Sequence, residues 1–277
     1  MEIPLSIQPV LRAIESAGGT PYIVGGFVRD TLLGIPCKDF DVEVYGLTAE
    51  TLMSALAPVG RVDAVGVSFG VLKVRVGQVD VDVSLPRRDS KVAEGHRGFV
   101  VEADPTMTPE EAASRRDFTI NSMMVDTHGN VVDHFGGHRD LLAGELRPTS
   151  KAFEEDPLRV LRGLQFSSRF SLKHATSVCA DRCRAMAGEF QTLAVERVWG
   201  EWDKWATKGV KPSAGLEFLR ECGWLALFPE VDALVGVEQD PDWHPEGDVW
   251  NHSLAVVDAA SDIATREGLS DEDRRVL

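Results

Sequence analysis

The stretch that decides the fold reads Gly25-Gly26-Phe27-Val28-Arg29-Asp30-Thr31-Leu32-Leu33-Gly34, followed after Ile35-Pro36-Cys37 by Lys38-Asp39-Phe40-Asp41-Val42-Glu43-Val44-Tyr45-Gly46. Just ahead of it, Pro21 to Val24 is a short apolar run with strand character. The glycine pair turns that strand into a helix expected to run to Leu33 and to be capped by Gly34. Glycines at a strand-to-helix turn let the backbone approach a phosphate closely, with free N–H groups and the positive end of the helix dipole aimed at it. Arg29 lies one helical turn on and can reach the same anion. Neither a G-x-G-x-x-G nor a G-x-x-x-x-G-K-[ST] pattern is present, so a dinucleotide fold and a P-loop are not indicated.

Asp39 to Tyr45 alternates apolar and polar residues and reads as a strand. Asp39 and Asp41 stand at i and i+2, so both carboxylates point to one face. Like charges held that close repel, and a folded protein tolerates them best with a cation between them. Mg²⁺ fits, because it binds through one or two carboxylates plus substrate phosphates and keeps several waters. Asp82, on the expected strand Val79 to Ser84, supplies a third oxygen if that strand lies beside the first. Such a cluster can activate an attacking hydroxyl and neutralise charge on a leaving pyrophosphate. A bare Asp-x-Asp is common on solvated strands; the glycine turn upstream sets this one apart.

The string GGFVRDTLLGIPCKDFDVEVYG resembles the first motif of the class II tRNA nucleotidyltransferase and poly(A) polymerase family. The resemblance implies an α+β fold: a nucleotidyltransferase head with a mixed sheet and flanking helices, then an all-helical neck and body. It implies Asp39 and Asp41 as metal ligands, with Gly25, Gly26 and Arg29 at the nucleotide triphosphate. Arg115-Arg116-Asp117-Phe118-Thr119-Ile120-Asn121 resembles the second family motif. An Arg beside an Asp offers fork donors for phosphate or ribose oxygens and a carboxylate for a hydroxyl. By resemblance Arg116 and Asp117 sense the ribose; the plainer alternative is an Asp117 that caps a helix beside solvated arginines.

Glu155-Asp156-Pro157-Leu158-Arg159-Val160-Leu161-Arg162 carries the most chemistry. Pro157 at the first helical position makes Asp156 an N-cap, which is a sufficient structural reason for it. Asp156 and Arg159 nevertheless share a helical face, with Arg162 a turn further. One acceptor beside one donor set matches the edge that cytosine and adenine share, an exocyclic amine next to a ring nitrogen. Uracil and guanine present the reverse, and each unmatched buried polar group costs about 1–3 kcal/mol. The resemblance assigns this base-reading role to Asp156 and Arg159. Gln165 stands where many family members have another Arg, which puts a phosphate contact there in doubt.

Asp133-His134-Phe135-Gly136-Gly137 with Asp140-Leu141 resembles the family's hinge between head and neck, and also reads as a glycine turn before a short helix. Val195-Glu196-Arg197 with Glu201 resembles a later neck motif, in which Glu196 and Arg197 read as ion-pair partners. Pro86 to Thr108, with Gly95, Gly98 and Pro105, reads as a long mobile loop. That loop, and the absence of a basic stretch in VGVSFGVLKV (65–74), lean toward full C-C-A addition over CC-only addition or poly(A) synthesis. His244-Pro245-Glu246-Gly247-Asp248-Val249-Trp250-Asn251-His252 resembles the opening of an HD phosphohydrolase domain, with His252 as its first metal ligand. No His-Asp dipeptide is found further on, so an intact HD site is not expected.

Outside the motifs, bulk properties bound the reading. The net charge of −15 argues against indiscriminate nucleic-acid binding. Lys151 to Arg184 nonetheless holds seven Lys/Arg against four Asp/Glu, a local basic strip. Cys37, Cys179, Cys183 and Cys222 form no Cys-x-x-Cys pair and read as reduced thiols of a cytoplasmic protein. No leader or membrane-length apolar run is seen. The expected division is a catalytic head over 1–148, a helical neck over 149–210, and a body with the start of an HD-like domain over 211–277. The expected reaction adds C and A to a tRNA 3′ end from CTP and ATP, with Mg²⁺ as cofactor and pyrophosphate released. An inactive RNA-binding module is the reading from another class, and the intact carboxylates argue against it.

Overall fold

The computed structural model describes residues 1–63, 71–91, 99–104 and 106–277, with residues 88–91 and 99–103 described by their backbone alone. The chain divides into two compact units. The first comprises Met1–Leu141 with Thr149–Phe153, the second Leu142–Pro148 with Glu154–Leu277. The chain therefore passes from one unit to the other three times.

The first unit runs α1 (Gln8–Ser16), β1 (Thr20–Val24), α2 (Gly26–Leu32), β2 (Phe40–Tyr45), α3 (Ala49–Leu56), β3 (Arg61–Asp63), β4 (Val71–Val76) and β5 (Val79–Ser84). It continues with β6 (Arg87–Lys91), β7 (Phe99–Ala103), α4 (Pro109–Ser114), α5 (Thr119–Ser122), β8 (Met124–Val125), β9 (Val131–Val132) and α6 (Gly137–Ala143), whose last two residues fall in the second unit. Seven strands form one mixed sheet in the order β3-β4-β5-β2-β1-β8-β9. The pair β2–β5 is parallel and the others are antiparallel. Alternation sorts the side chains. Phe40, Val42, Val44, Val81 and Val83 are buried, while Asp41, Glu43, Asp80, Asp82 and Ser84 take the opposite face. Thr48 caps α3 by accepting from the Thr51 N–H at 3.3 Å, and α1 lies against α3 and β1. A reciprocal capping box between Thr108 and Glu111 opens α4.

One expectation is corrected here. The segment 86–108 is not one open loop, because β6 and β7 pair antiparallel from Arg87↔Ala103 to Lys91↔Phe99. Phe99-Val100-Val101 is a β-prone run that the polar surroundings hid. Gly95, Gly98 and Pro105 lie outside the described residues, as do residues 65–70 of the stretch 65–74.

The second unit holds β10 (Glu145–Leu146), α7 (Leu158–Phe170), β11 (His174–Ala175), α8 (Ser177–Ala185), α9 (Val195–Lys208), α10 (Pro212–Glu221), α11 (Pro229–Asp232), α12 (Val249–Arg266) and α13 (Asp271–Arg274). It is helical, as expected, with one short parallel pair β10–β11 of two residues on each side. Strands that short carry no readable alternation. α7 packs on α9 and α10, and α10 on α12. Gly163 lets α10 come close, since a Cβ there would stand 2.3 Å from Phe218 Cζ. Trp224 is buried and donates its indole N–H to the Cys183 carbonyl at 2.6 Å, and Cys179, Cys183 and Cys222 are buried free thiols. Among the described residues, no helix is long and apolar enough to cross a membrane.

Candidate active site

The site in the first unit is built where three strands meet the glycine turn. Val24, the last residue of β1, pairs with Asp41, and Asp41 pairs with Asp82 across the parallel β2–β5 contact. The carboxylates of Asp41 and Asp82 therefore share the open sheet face beside the start of α2. Asp39 lies one residue ahead of β2, in the connection from α2, where its carbonyl accepts from the Cys37 thiol at 3.3 Å. Asp41 and Asp82 are thus gathered at one end of one face, with Asp39 in the connection just ahead of it.

Gly25 has φ +67° and ψ −121°, a conformation that L side chains rarely adopt, and caps α2. A Cβ there would also stand 3.0 Å from Arg116 Nη1. The backbone conformation thus calls for glycine. Its N–H donates to the Met123 carbonyl at 3.2 Å, which fixes the turn against the end of α5.

Arg29 points inward. It is only 4% exposed, donates through Nε and Nη2 to Asp30 Oδ1 at 2.8 and 2.6 Å, and donates through Nη1 to Asn121 Oδ1. In this structure its guanidinium braces α2 against α5, with Nη2 3.5 Å from where a Cβ at Gly26 would stand. Asp117 is also buried; its Oδ1 accepts from the Phe118 N–H at 2.7 Å and from Asn121 Nδ2 at 3.0 Å. A chain Asp30–Arg29–Asn121–Asp117 thereby links the first and second sequence motifs.

Arg116 brings a positive charge to the carboxylate face. Its Nη2 donates to Glu43 Oε2 at 3.3 Å, and Nη1 stands 3.5 Å from the Asn121 carbonyl. Its buried Nε has no hydrogen-bond partner among the described residues. Tyr45 donates its hydroxyl to Glu43 Oε2 at 2.8 Å, and burial, followed by the Glu43 charge, pushes the phenol pKa up. Glu43 and Asn121 were not singled out in the sequence. Glu43 was legible as the next same-face residue after Asp41, whereas Asn121 is tied in only by tertiary contact.

Asp41 remains open to water at the surface, yet protein crowds its carboxyl. Partial desolvation raises its pKa; Arg116 opposes the shift, and Asp82, Asp39 and Glu43 push it further up. Water reaches the group, so the like-charge burden is what a cation would relieve. Lys73 lies 3.8 Å from Asp82 and offsets part of that charge. The three carboxylates do not draw to within 4.8 Å of one another. The donor set suits a hard cation that keeps waters and needs few protein ligands, as Mg²⁺ does.

In the second unit, Asp156 Oδ1 accepts from the Leu158 N–H at 3.1 Å, the capping role expected for it, and Oδ2 accepts from Arg197 Nη2 at 2.9 Å. Each carboxylate oxygen keeps acceptor capacity beyond those bonds. Arg159 stands on the same helix face, and Arg162 sits over the Phe166 ring at 5.1 Å. Gln165 is buried inside α7, with its Oε1 unpartnered among the described residues. Arg197 pairs with Asp156 and Glu201 with Lys204, so Arg197 is an ion-pair partner as expected. Asp133 accepts from the Gly137 and His138 N–H groups at 2.8 and 3.0 Å and so caps α6, the hinge-like turn.

A mixed sheet carrying a glycine turn beside a face of acids defines a nucleotidyltransferase head. The family described as poly A polymerase head domain matches residues 21–147. The "Multifunctional CCA protein" of Neisseria gonorrhoeae is 42% identical over 245 residues, 87% of this chain and 58% of that protein. The protein of the same name from Thioalkalivibrio sulfidiphilus is 42% identical over 251 residues, covering 88% of this chain and 59% of that one. The solved Bacillus stearothermophilus CCA-adding enzyme in complex with CTP superposes with a TM-score of 0.67 at 25% identity, covering 80% of this chain and 53% of that one. The chain belongs to the class II CCA-adding enzyme and poly(A) polymerase family, and its fold is the α+β arrangement of that family. It spans under two thirds of the length of these curated relatives.

Proposed function

We propose that this chain adds C and A to the 3′ end of tRNA from CTP and ATP, without a template and with release of pyrophosphate. The observation that carries the reading is the strand pairing that sets Asp41 opposite both Val24, at the glycine turn, and Asp82. The relatives' names, which speak of CCA addition, favour the full triplet over CC-only or poly(A) products. Members of the family generally work with a divalent metal, and here Mg²⁺ is the ion proposed. Asp39 and Asp41 would hold it, with Asp82 alongside; when bound, it lowers the charge on the triphosphate and favours ionisation of the attacking hydroxyl.

The protein's own groups bind and orient. The Gly25-Gly26 turn and the N-terminus of α2 receive the triphosphate, with Arg29 holding that helix in place and adding positive charge behind it. Arg116 and Asp117 receive the ribose. Asp156 accepts from the exocyclic amine of C or A, while Arg159 donates to the ring nitrogen, and Arg162 completes the positive face. The tRNA backbone meets the basic strip between Lys151 and Arg184. Residues 1–148 would then act as head, 149–210 as neck and 211–277 as body. The reduced thiols support a cytoplasmic setting.

The test is end-labelling of tRNAs that stop at the discriminator base, at C or at CC, each with single labelled nucleotides, with and without EDTA. Ordered C, C, then A incorporation that EDTA abolishes and Asp41→Ala removes supports the reading. Incorporation unaffected by Asp41→Ala would overturn it, and a product ending at CC or a long A tail would replace the triplet with one of the sister activities.

A further inference from the structure

A second constellation stands apart from the acids of the sheet. Among the described residues, one group of three potential metal ligands draws its donor atoms to within 4.8 Å of one another: His244, Glu246 and His252. His252 Nδ1 lies 2.6 Å and His244 Nδ1 3.2 Å from the same Glu246 oxygen. The two imidazole rings are 5.0 Å apart and nearly perpendicular. All three side chains are between a third and two fifths exposed.

The backbone under these side chains is fixed. The His244 N–H donates to the Asp240 carbonyl at 2.8 Å, and the Gly247 N–H returns to the His244 carbonyl at 3.1 Å. Asp248 caps α12 by accepting from the Asn251 N–H at 2.9 Å, and its other oxygen accepts from the Gly236 N–H at 2.8 Å. The Val249 N–H donates to the Val237 carbonyl at 2.9 Å. A closed loop thus presents His244 and Glu246 to His252, which sits in the first turn of α12.

We propose that His244, Glu246 and His252 form a binding site for one borderline divalent cation of the zinc class, with a fourth position left to water. Two imidazoles and a carboxylate are a donor set that Zn²⁺, Co²⁺ and Ni²⁺ take in preference to Mg²⁺. Glu246 presents one carboxylate oxygen to both rings. Without metal, each imidazole Nδ1–H donates to that carboxylate. On binding, each neutral imidazole carries its proton on Nε2 instead and gives its Nδ1 lone pair to the cation, and the ligand atoms spread to accommodate metal–nitrogen bonds of roughly 2.0–2.1 Å. The site does not need the His-Asp dipeptide that the chain lacks, because two of its three ligands precede α12. Its metal would tie the loop 236–248 to that helix. The chain would then carry two cation sites of opposite chemistry, oxygen-only in the first unit and nitrogen-rich in the second.

Co²⁺ titration of the whole chain, followed by visible ligand-field absorption, tests this. The expected result is one Co²⁺ per chain with the intense bands of four-coordination, displaced by Zn²⁺ but not by excess Mg²⁺. His244→Ala, His252→Ala and Glu246→Gln should each weaken binding by more than about tenfold, while Asp41→Ala keeps the bands. Zn²⁺ should also raise the unfolding temperature of the unaltered chain and not that of Glu246→Gln, a loop substitution outside the core. Absence of the bands, or bands that survive the histidine substitutions, or bands lost with Asp41→Ala, overturns the proposal.

Discussion

At Asp41 the surroundings work against the charge that metal binding requires. Its carboxyl pKa is raised, first by partial desolvation and then by Asp82, Asp39 and Glu43 against the pull of Arg116. A carboxyl whose folded-state pKa lies above its unfolded value stabilises the fold while protonated, and that contribution is lost as pH rises through the raised value. Asp41→Asn should therefore raise the unfolding temperature at pH 7 in EDTA, with the gain closing below the ordinary Asp range, where both side chains are neutral. Thermal melts across pH check this; a neutral or negative shift at pH 7 would contradict it. Glu43 tells a related story one step along the strand. It holds Arg116 through a partly buried ion pair and Tyr45 through its hydroxyl. Glu43→Ala should lower kcat/KM for nucleotide roughly fivefold, the kinetic equivalent of about 1 kcal/mol of lost positioning. Glu43→Gln should recover part of that, and single-turnover kinetics would show it. Gly25→Ala should cost about 1–3 kcal/mol of stability for its backbone conformation alone, read from a denaturant midpoint.

Among the elements, the glycines again decide the packing. Gly163→Ala would force the Phe218 ring from a 2.3 Å contact and loosen α7 against α10. A loss of about 1–3 kcal/mol is expected in denaturant unfolding. Much of the element order was legible because period and punctuation agreed. β5 matches its expected bounds, and α7 begins at Leu158, one residue after the place expected from Pro157. The pairs β6–β7 and β10–β11 were not legible, since one lies in polar sequence and the other spans two residues a side. For the site, the types and faces of Asp41 and Asp82 came from alternation, but that β2 and β5 are parallel neighbours in register is a tertiary fact. The inward turn of Arg29 was equally hidden. Nothing in a helix-start arginine says that an asparagine 92 residues on will claim one of its donors.

For the molecule as a whole, charge and connectivity matter most. An acidic chain of net charge −15 can hold RNA only where positive side chains are locally massed, as between Lys151 and Arg184. If about three phosphates are met there, tRNA affinity should fall roughly 10- to 100-fold between about 50 and 200 mM salt. A flat response in filter binding would move the contact elsewhere.

The three crossings of the chain between its units bear on how the protein can be cut. The short segment Thr149–Phe153 belongs with the first unit although it comes after a piece of the second. There the Thr149 N–H donates to the Asp117 carbonyl at 3.0 Å, Ser150 donates its hydroxyl to the Ser114 carbonyl at 2.6 Å, and the fully buried Phe153 ring lies 5.2 Å from that of Phe118. These five residues act as a peg driven, from downstream, into the corner proposed to receive the ribose. A fragment ending at residue 148 loses the peg and opens a hole beside Phe118, so it should unfold more readily than one ending at residue 157. A proteolytic nick between residues 142 and 148 would cut the catalytic half away from its peg, because the second motif is stitched shut with thread from beyond the hinge.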